Sequence, residues 1–206
     1  MTESKATKRT LVPWKTVGRK TAYSCDAGWL SVEEHEVQLP NGNVVTPWPW
    51  VVSSDFVIVV AMTEDARFLV FKQTKYAVDI LLNQDTLAPV GGYLEPGEDV
   101  ELAARRELQE ETGYQCKELV HLSSTVVDGN RGGGMGHLYL ATGAAFLEKI
   151  ESDDLEEQEL LLMSREELEE ALDGGEFRVS VWALAIALAL RYLNRSASHI
   201  KKEPAV

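Results

Sequence analysis

The chain has 206 residues, 45% of them hydrophobic, and a formal net charge of -13. That length and apolar content support one domain, or one domain with a small appendage, around a sizeable core. The acidic balance argues against non-specific nucleic-acid binding, which needs basic patches against phosphate; a small phosphorylated ligand held by local charge stays open.

The opening MTESKATKRT is polar and has no apolar secretory segment, so residues 1–10 are expected to form a disordered tail. Residues 11–52 read as a small antiparallel β appendage. SVEEHEVQL alternates in part, and Asn41-Gly42 in LPNGNVV is a strong turn signal between strand-like runs. In TPWPW, Pro47 and Pro49 are expected to forbid regular pairing and to leave Trp48 and Trp50 displayed, with core or interface packing as the alternative. Trp29 in AGWLSV is expected in the core. Cys25, in this stretch, and Cys116 are too few for a disulfide framework or zinc cluster.

Residues 53–196 carry the main domain. DFVIVVAM (55–62) is a near-continuous β-branched run, hence a central buried strand, and RFLVFKQT is its antiparallel partner. Pro89 and Gly91-Gly92 favour a strand ending in a loop. Residues 98–112 read as a helix, with Leu102, Ala103 and Leu108 available for packing. ELVHLSSTVV and GHLYLATGAAF are strand candidates around the loop DGNRGGGMG; His137 at the second strand's start reads as a packed histidine. LLLM is another short strand. Ser164 and Glu167 form a capping box, and Gly174-Gly175 stops that helix. SVWALAIALALRYL is apolar nearly all round and is expected to be sandwiched in the core. Its apolar run is far shorter than the roughly 20 residues a bilayer span needs, so no membrane role is expected and the cytoplasm is the default. Residues 197–206 read as a second tail. The fold class is α/β or α+β: a mixed sheet with helices against it.

The stretch GGYLEPGEDVELAARRELQEETGY (91–114) carries the chemistry. Glu107 and Glu111 stand one helical turn apart on one face, with Glu110 beside them. Like charges at that spacing cost only a few tenths of a kcal/mol, which a wet surface tolerates. Three features favour a cation instead. Gly91-Gly92 and Pro96-Gly97 make a loop whose carbonyls can join carboxylates as hard oxygen ligands. Arg105 and Arg106 adjoin the cluster and can orient carboxylates. No Cys or His is near, and an all-oxygen site selects Mg²⁺ or Mn²⁺, which usually attend phosphates.

These residues resemble the Nudix hydrolase family, whose pattern is G-x5-E-x7-R-E-U-x-E-E-x-G-U with U bulky and apolar. Gly92, Glu98, Arg106, Glu107, Leu108, Glu110, Glu111, Gly113 and Tyr114 fill its positions. The resemblance implies the Nudix fold, a mixed β-sheet sandwiched between helices, and hydrolysis of a nucleoside diphosphate linked to another moiety. It implies divalent metal on Glu107, Glu111 and often Glu110, with the backbone carbonyl of Gly92. It implies that Arg106 holds the glutamates and that Glu98 pairs with Arg106.

Over about residues 14–195 the chain resembles the ADP-ribose and nucleotide-sugar pyrophosphatase branch. That likeness implies a homodimer in which the appendage is commonly exchanged, with Trp48 or Trp50 stacking on the base. It implies Lys75 on phosphate. It implies a base or further metal ligand from ESDDLEEQE, where Asp154, Glu156 and Glu157 are candidates. Arg131 and several glycines stand where the branch often has a proline, and they can approach phosphate. The expected partner is a small nucleotide, with no nucleic acid. The alternatives are a dinucleoside polyphosphate, capped-RNA or nucleoside triphosphate hydrolase, or a catalytically inactive nucleotide-binding module.

Overall fold

The computed structural model describes residues 11–26, 29–148 and 157–200. They form two compact units, one made of residues up to Ser53 with Asp128–Gly133, the other of Ser54–Val127 and Gly134 onward. The expected tail over 1–10 lies outside the described residues.

The first unit is built on β1 (Lys15–Ser24), β2 (Leu30–Gln38) and β3 (Val44–Ser53), paired antiparallel in that order. The Asn41-Gly42 turn forms as expected: Gly42 N donates to Leu39 O at 2.9 Å, and Asn43 N to Asn41 Oδ1 at 3.0 Å. The expectation holds for one proline and not for the other: the β2–β3 register breaks at Pro47, between the Val37–Val45 and His35–Trp48 pairs, whereas Pro49 pairs in register opposite Glu34. Residues 47 and 49 are two apart, so their missing amides face the same strand edge, and the intervening residues keep their donors on the other. Trp29 is 59% exposed, not core. The three strands make a thin sheet, and among its described side chains only His35 and Val37 are buried.

The second unit carries β4 (Phe56–Thr63), β5 (Phe68–Gln73), β6 (Thr86–Ala88), β7 (Val90–Tyr93), β8 (Tyr114–Gln115), β9 (Glu118–Asp128), β10 (Gly132–Phe146) and β11 (Gln158–Met163). Strand β4 lies between β10, parallel to it, and β5, antiparallel; β11 pairs with β5 on the far side. β7 pairs with β4, β6 with β5, and β8 and β9 with β10. The helices are α1 (Tyr76–Leu82), α2 (Val100–Thr112), α3 (Arg165–Asp173) and α4 (Ser180–Ile200).

The β-branched run of β4 is buried because both faces are covered. Val57, Val59 and Ala61 pack with Ala103, Ala104 and Leu108 of α2. Ile58 and Val60 turn the other way, onto Leu168 of α3 and Ile186 and Leu190 of α4. A strand's period of two sorts alternate residues onto opposite faces, so a run apolar at every position fits a sheet covered on both sides. Each fully buried leucine contributes about 1.5–3 kcal/mol. Three local expectations are corrected. Leu102 is 62% exposed, because Ala103, Ala104 and Leu108 hold the packed face of α2. Helix α4 buries one face only, with Leu184 39% exposed; its alanines make the outer face apolar without requiring a cover. Helix α1 had no sequence signal, being seven residues long with only Val78 buried. Among the described residues no helix is long and apolar enough to cross a membrane.

Candidate active site

Two elements of the second unit place the carboxylates. Strand β7 pairs with β4 so that Gly92 lies opposite Val57 and Gly91 opposite Ile58. Helix α2 starts at Asp99, whose carboxylate accepts from Glu101 N at 3.0 Å and Leu102 N at 3.1 Å, a cap worth about 1 kcal/mol. It ends at Gly113, which takes the left-handed conformation (φ 74°) that glycine tolerates best. The final glycine of the sequence pattern is thus a helix stop. Its first glycine has another reason: a Cβ on Gly92 would stand 2.4 Å from the carboxyl group of Glu107. The bare backbone there makes the room Glu107 occupies.

Arg106 stands among three of the acids. Its Nε and Nη2 donate to Glu98 Oε1 and Oε2 at 2.8 and 2.9 Å. Its Nη1 donates to Glu107 Oε1 and Glu110 Oε2, both at 2.8 Å, and its Nη2 to the Tyr93 carbonyl at 3.2 Å. Glu98 also accepts from Glu95 N at 3.0 Å, which closes the loop before α2. Arg106, and with it Glu95 N, holds the Glu98 carboxyl down at about 2. The hydrogen bonds that Arg106 donates to Glu98, and then to Glu110 and Glu107, raise its pKa well above the ordinary value. Burial pushes the Glu107 carboxyl up against the pull of Arg106. Glu111 Oε2 accepts from Gly91 N at 3.0 Å, tying α2 to β7.

The structure brings Glu98, Arg106, Glu107 and Glu110 into one network, with Gly92 against Glu107, and ties Glu111 to the neighbouring Gly91 amide. Arg105 does not join it: it pairs with Glu101 at 3.0 Å and donates to the Cys116 carbonyl at 3.4 Å. The carbonyl of Tyr93 and the amides of Gly91 and Glu95 also take part, and these particular groups were not expected from the sequence because a backbone group's partner is set by the fold and not by residue type.

The remaining candidates fall elsewhere. Lys75 is the half-buried residue before α1. Glu157 is exposed, and its carbonyl accepts from Thr74 N at 3.3 Å; Asp154 and Glu156 lie outside the described residues. Trp48, Trp50 and Arg131 belong to the first unit. There a cavity of about 330 Å³ is lined by Trp14, His35, Trp48, Trp50, Gly129 and Asn130. Trp48 Nε1 donates to the Asn130 carbonyl at 2.6 Å, and Trp14 meets the Trp48 ring edge-on at 5.6 Å. Trp50 stacks on His35 at 5.4 Å and closes over Gly132. The Arg131 guanidinium lies 3.7 Å from Asp128, while its carbonyl accepts from Val51 N at 2.7 Å.

The donor chemistry suits a hard divalent cation. The acids gathered here and the glycine carbonyl are all oxygen donors, and the bare backbone at Gly92 lets the Glu107 carboxylate stand against the strand end. As they stand, no three His, Cys, Asp or Glu side chains among the described residues are gathered as a metal cage.

The NUDIX domain family model matches residues 54–183, and the chain belongs to the Nudix family as a hydrolase. It is 31% identical over 180 residues to the ADP-ribose pyrophosphatase of Bacillus subtilis (strain 168), spanning 87% of this chain and 92% of that protein. It is 30% identical over 186 residues to the methanol dehydrogenase activator of Bacillus methanolicus, 90% of this chain and 96% of the relative. The crystal structure of an ADP compounds hydrolase shares the fold at a TM-score of 0.75 and 20% identity, covering 91% of this chain and 98% of that one.

Proposed function

We propose that this chain hydrolyses the diphosphate of ADP-ribose or a related nucleotide sugar, giving a nucleoside monophosphate and a sugar phosphate. The observation that carries the substrate class is the 31% identity to an ADP-ribose pyrophosphatase across nearly the whole chain. Glu107, Glu110 and Glu111, with the Gly92 carbonyl, are the proposed holders of Mg²⁺ or Mn²⁺. Bound there, such an ion neutralises charge on the diphosphate and lowers the pKa of a bound water. Arg106 and Glu98 position the glutamates. Glu157, or Asp154 or Glu156 before it, is the proposed base that takes the proton of the attacking water. Lys75 is proposed to face phosphate with a point charge. Arg131 is a second phosphate candidate, and Trp48 offers a stacking surface for a base. Trp50, engaged with His35, is the weaker stacking candidate.

A panel of ADP-ribose, other nucleotide sugars, dinucleoside polyphosphates and nucleoside triphosphates, each with Mg²⁺ or Mn²⁺, tests the reading. Release of AMP and ribose phosphate from ADP-ribose supports it; cleavage of triphosphates alone overturns the substrate class. Ligand binding with metal present and no cleavage would make the chain a binding module. We further propose a cytoplasmic homodimer; a monomeric mass at micromolar concentration contradicts the dimer.

A further inference from the structure

Outside the Nudix box of residues 92–114, four polar side chains of the second unit form a line that the proposed hydrolysis does not use. His121 and Ser124 lie on β9, and His137 lies on the paired strand β10. Ser124 Oγ stands 2.9 Å from His121 Nε2 and 2.8 Å from His137 Nδ1. The other nitrogen of His137, Nε2, lies 3.8 Å from Asp55 Oδ2. Asp55 is itself held, since its Oδ1 accepts from Met135 N at 2.8 Å. His121 meets the ring of Tyr139 edge-on at 5.3 Å.

His137 turns Nδ1 toward the Ser124 hydroxyl and Nε2 toward the Asp55 carboxylate. His121 points a second ring nitrogen at the same hydroxyl. One hydroxyl hydrogen can satisfy only one nitrogen lone pair, so the other imidazole must spend its own proton there. A cation between the two rings would use both lone pairs at once. Two imidazoles with a carboxylate behind one of them are donors for Zn²⁺, Ni²⁺ or Cu²⁺, not for Mg²⁺, which prefers oxygen.

We propose that His121 Nε2 and His137 Nδ1 form a binding site for a divalent transition-metal ion, completed by the Ser124 hydroxyl and water and oriented by Asp55. Only two of its ligands are of the strong histidine, cysteine or carboxylate type, and no three-residue group of that kind is gathered among the described residues. The site is distinct in chemistry from the all-oxygen box and does not depend on the hydrolytic reading. Bound there, the ion cross-links β9 to β10.

Calorimetric titration of the untagged full chain with ZnCl₂ and NiCl₂, with excess MgCl₂ present, tests this. One ion per chain is expected, together with a rise in Tm. His121→Ala and His137→Ala should each weaken binding by at least about tenfold, and Asp55→Asn by about tenfold. Circular dichroism checks that the variants are folded. A Kd weaker than about 1 mM for both ions in the folded wild type overturns the proposal. Binding untouched in the His121→Ala/His137→Ala double variant overturns it too. Binding lost in Glu111→Gln but kept in the histidine variants would place the ion at the box and overturn it equally.

Discussion

The carboxyl group of Glu107 lies where a side chain on Gly92 would begin, 2.4 Å from the position of its Cβ. A strand end and a helix face therefore meet at a point that tolerates hydrogen and nothing larger. Gly92 does not hold a left-handed backbone, so alanine is acceptable there by conformation and excluded only by contact. Gly92→Ala should fold, displace the Glu107 carboxylate by roughly an ångström, and lower kcat by about 10²-fold. Steady-state kinetics beside a circular dichroism spectrum check it.

Glu111→Gln keeps an oxygen able to accept from Gly91 N and removes the negative charge. The expected result is an unchanged fold with kcat down by about 10²–10³-fold. Near wild-type turnover in the folded variant would sink the proposed role of Glu111 as a metal ligand.

Arg106 reaches Glu98 with two nitrogens and Glu107 and Glu110 with a third. A lysine has one compact ammonium and cannot span these acids together. Arg106→Lys should cost about 1–3 kcal/mol of stability, read by urea unfolding, because carboxylates lose their partner. Activity should fall as well. A variant as stable and as active as the wild type would mean the network is incidental.

The capping box of α3 gives a pH prediction away from the site. Ser164 N donates to Glu167 Oε2 at 2.6 Å, and the Ser164 hydroxyl receives Glu167 N at 3.2 Å. The first of these bonds is the main cause of the lowered Glu167 carboxyl. A lowered carboxyl favours the folded state when ionised. Its contribution is complete above the ordinary glutamate value of about 4.3 and fades as pH falls through the lower folded value. The Tm gap between wild type and Glu167→Ala should therefore be full at neutral pH and shrink in acid below that range. A gap that grew in acid would contradict the assignment.

Leu108 is fully buried between α2 and β4. Leu108→Ala should destabilise the chain by about 2–5 kcal/mol through lost transfer energy and a residual cavity. Because Glu107 and Glu111 ride on the same helix, kcat should fall too. Denaturant midpoints and kinetics on one preparation separate the two effects.

The amino-acid order by itself determined the parts of this protein whose physics is local. The run 55–62 is apolar at every position after Asp55 and β-branched from Val57 to Val60, so it had to be a strand covered on both faces. Asn41-Gly42 had to turn. The period of the helix put Glu107 and Glu111 on one side, and the glycines and glutamates of 92–114 identified the family. Only the tertiary structure decided how those charges are reconciled. Arg106, adjacent in sequence to Glu107, reaches back to Glu98 and along the helix to Glu110, and Gly92 meets Glu107 because β7 lies under α2. The in-register pairing of Pro49, the exposure of Trp29 and Leu102, and the line from His121 to Asp55 were equally invisible beforehand. Each depends on which elements become neighbours, and that is settled by long-range packing, which no local pattern of residues encodes.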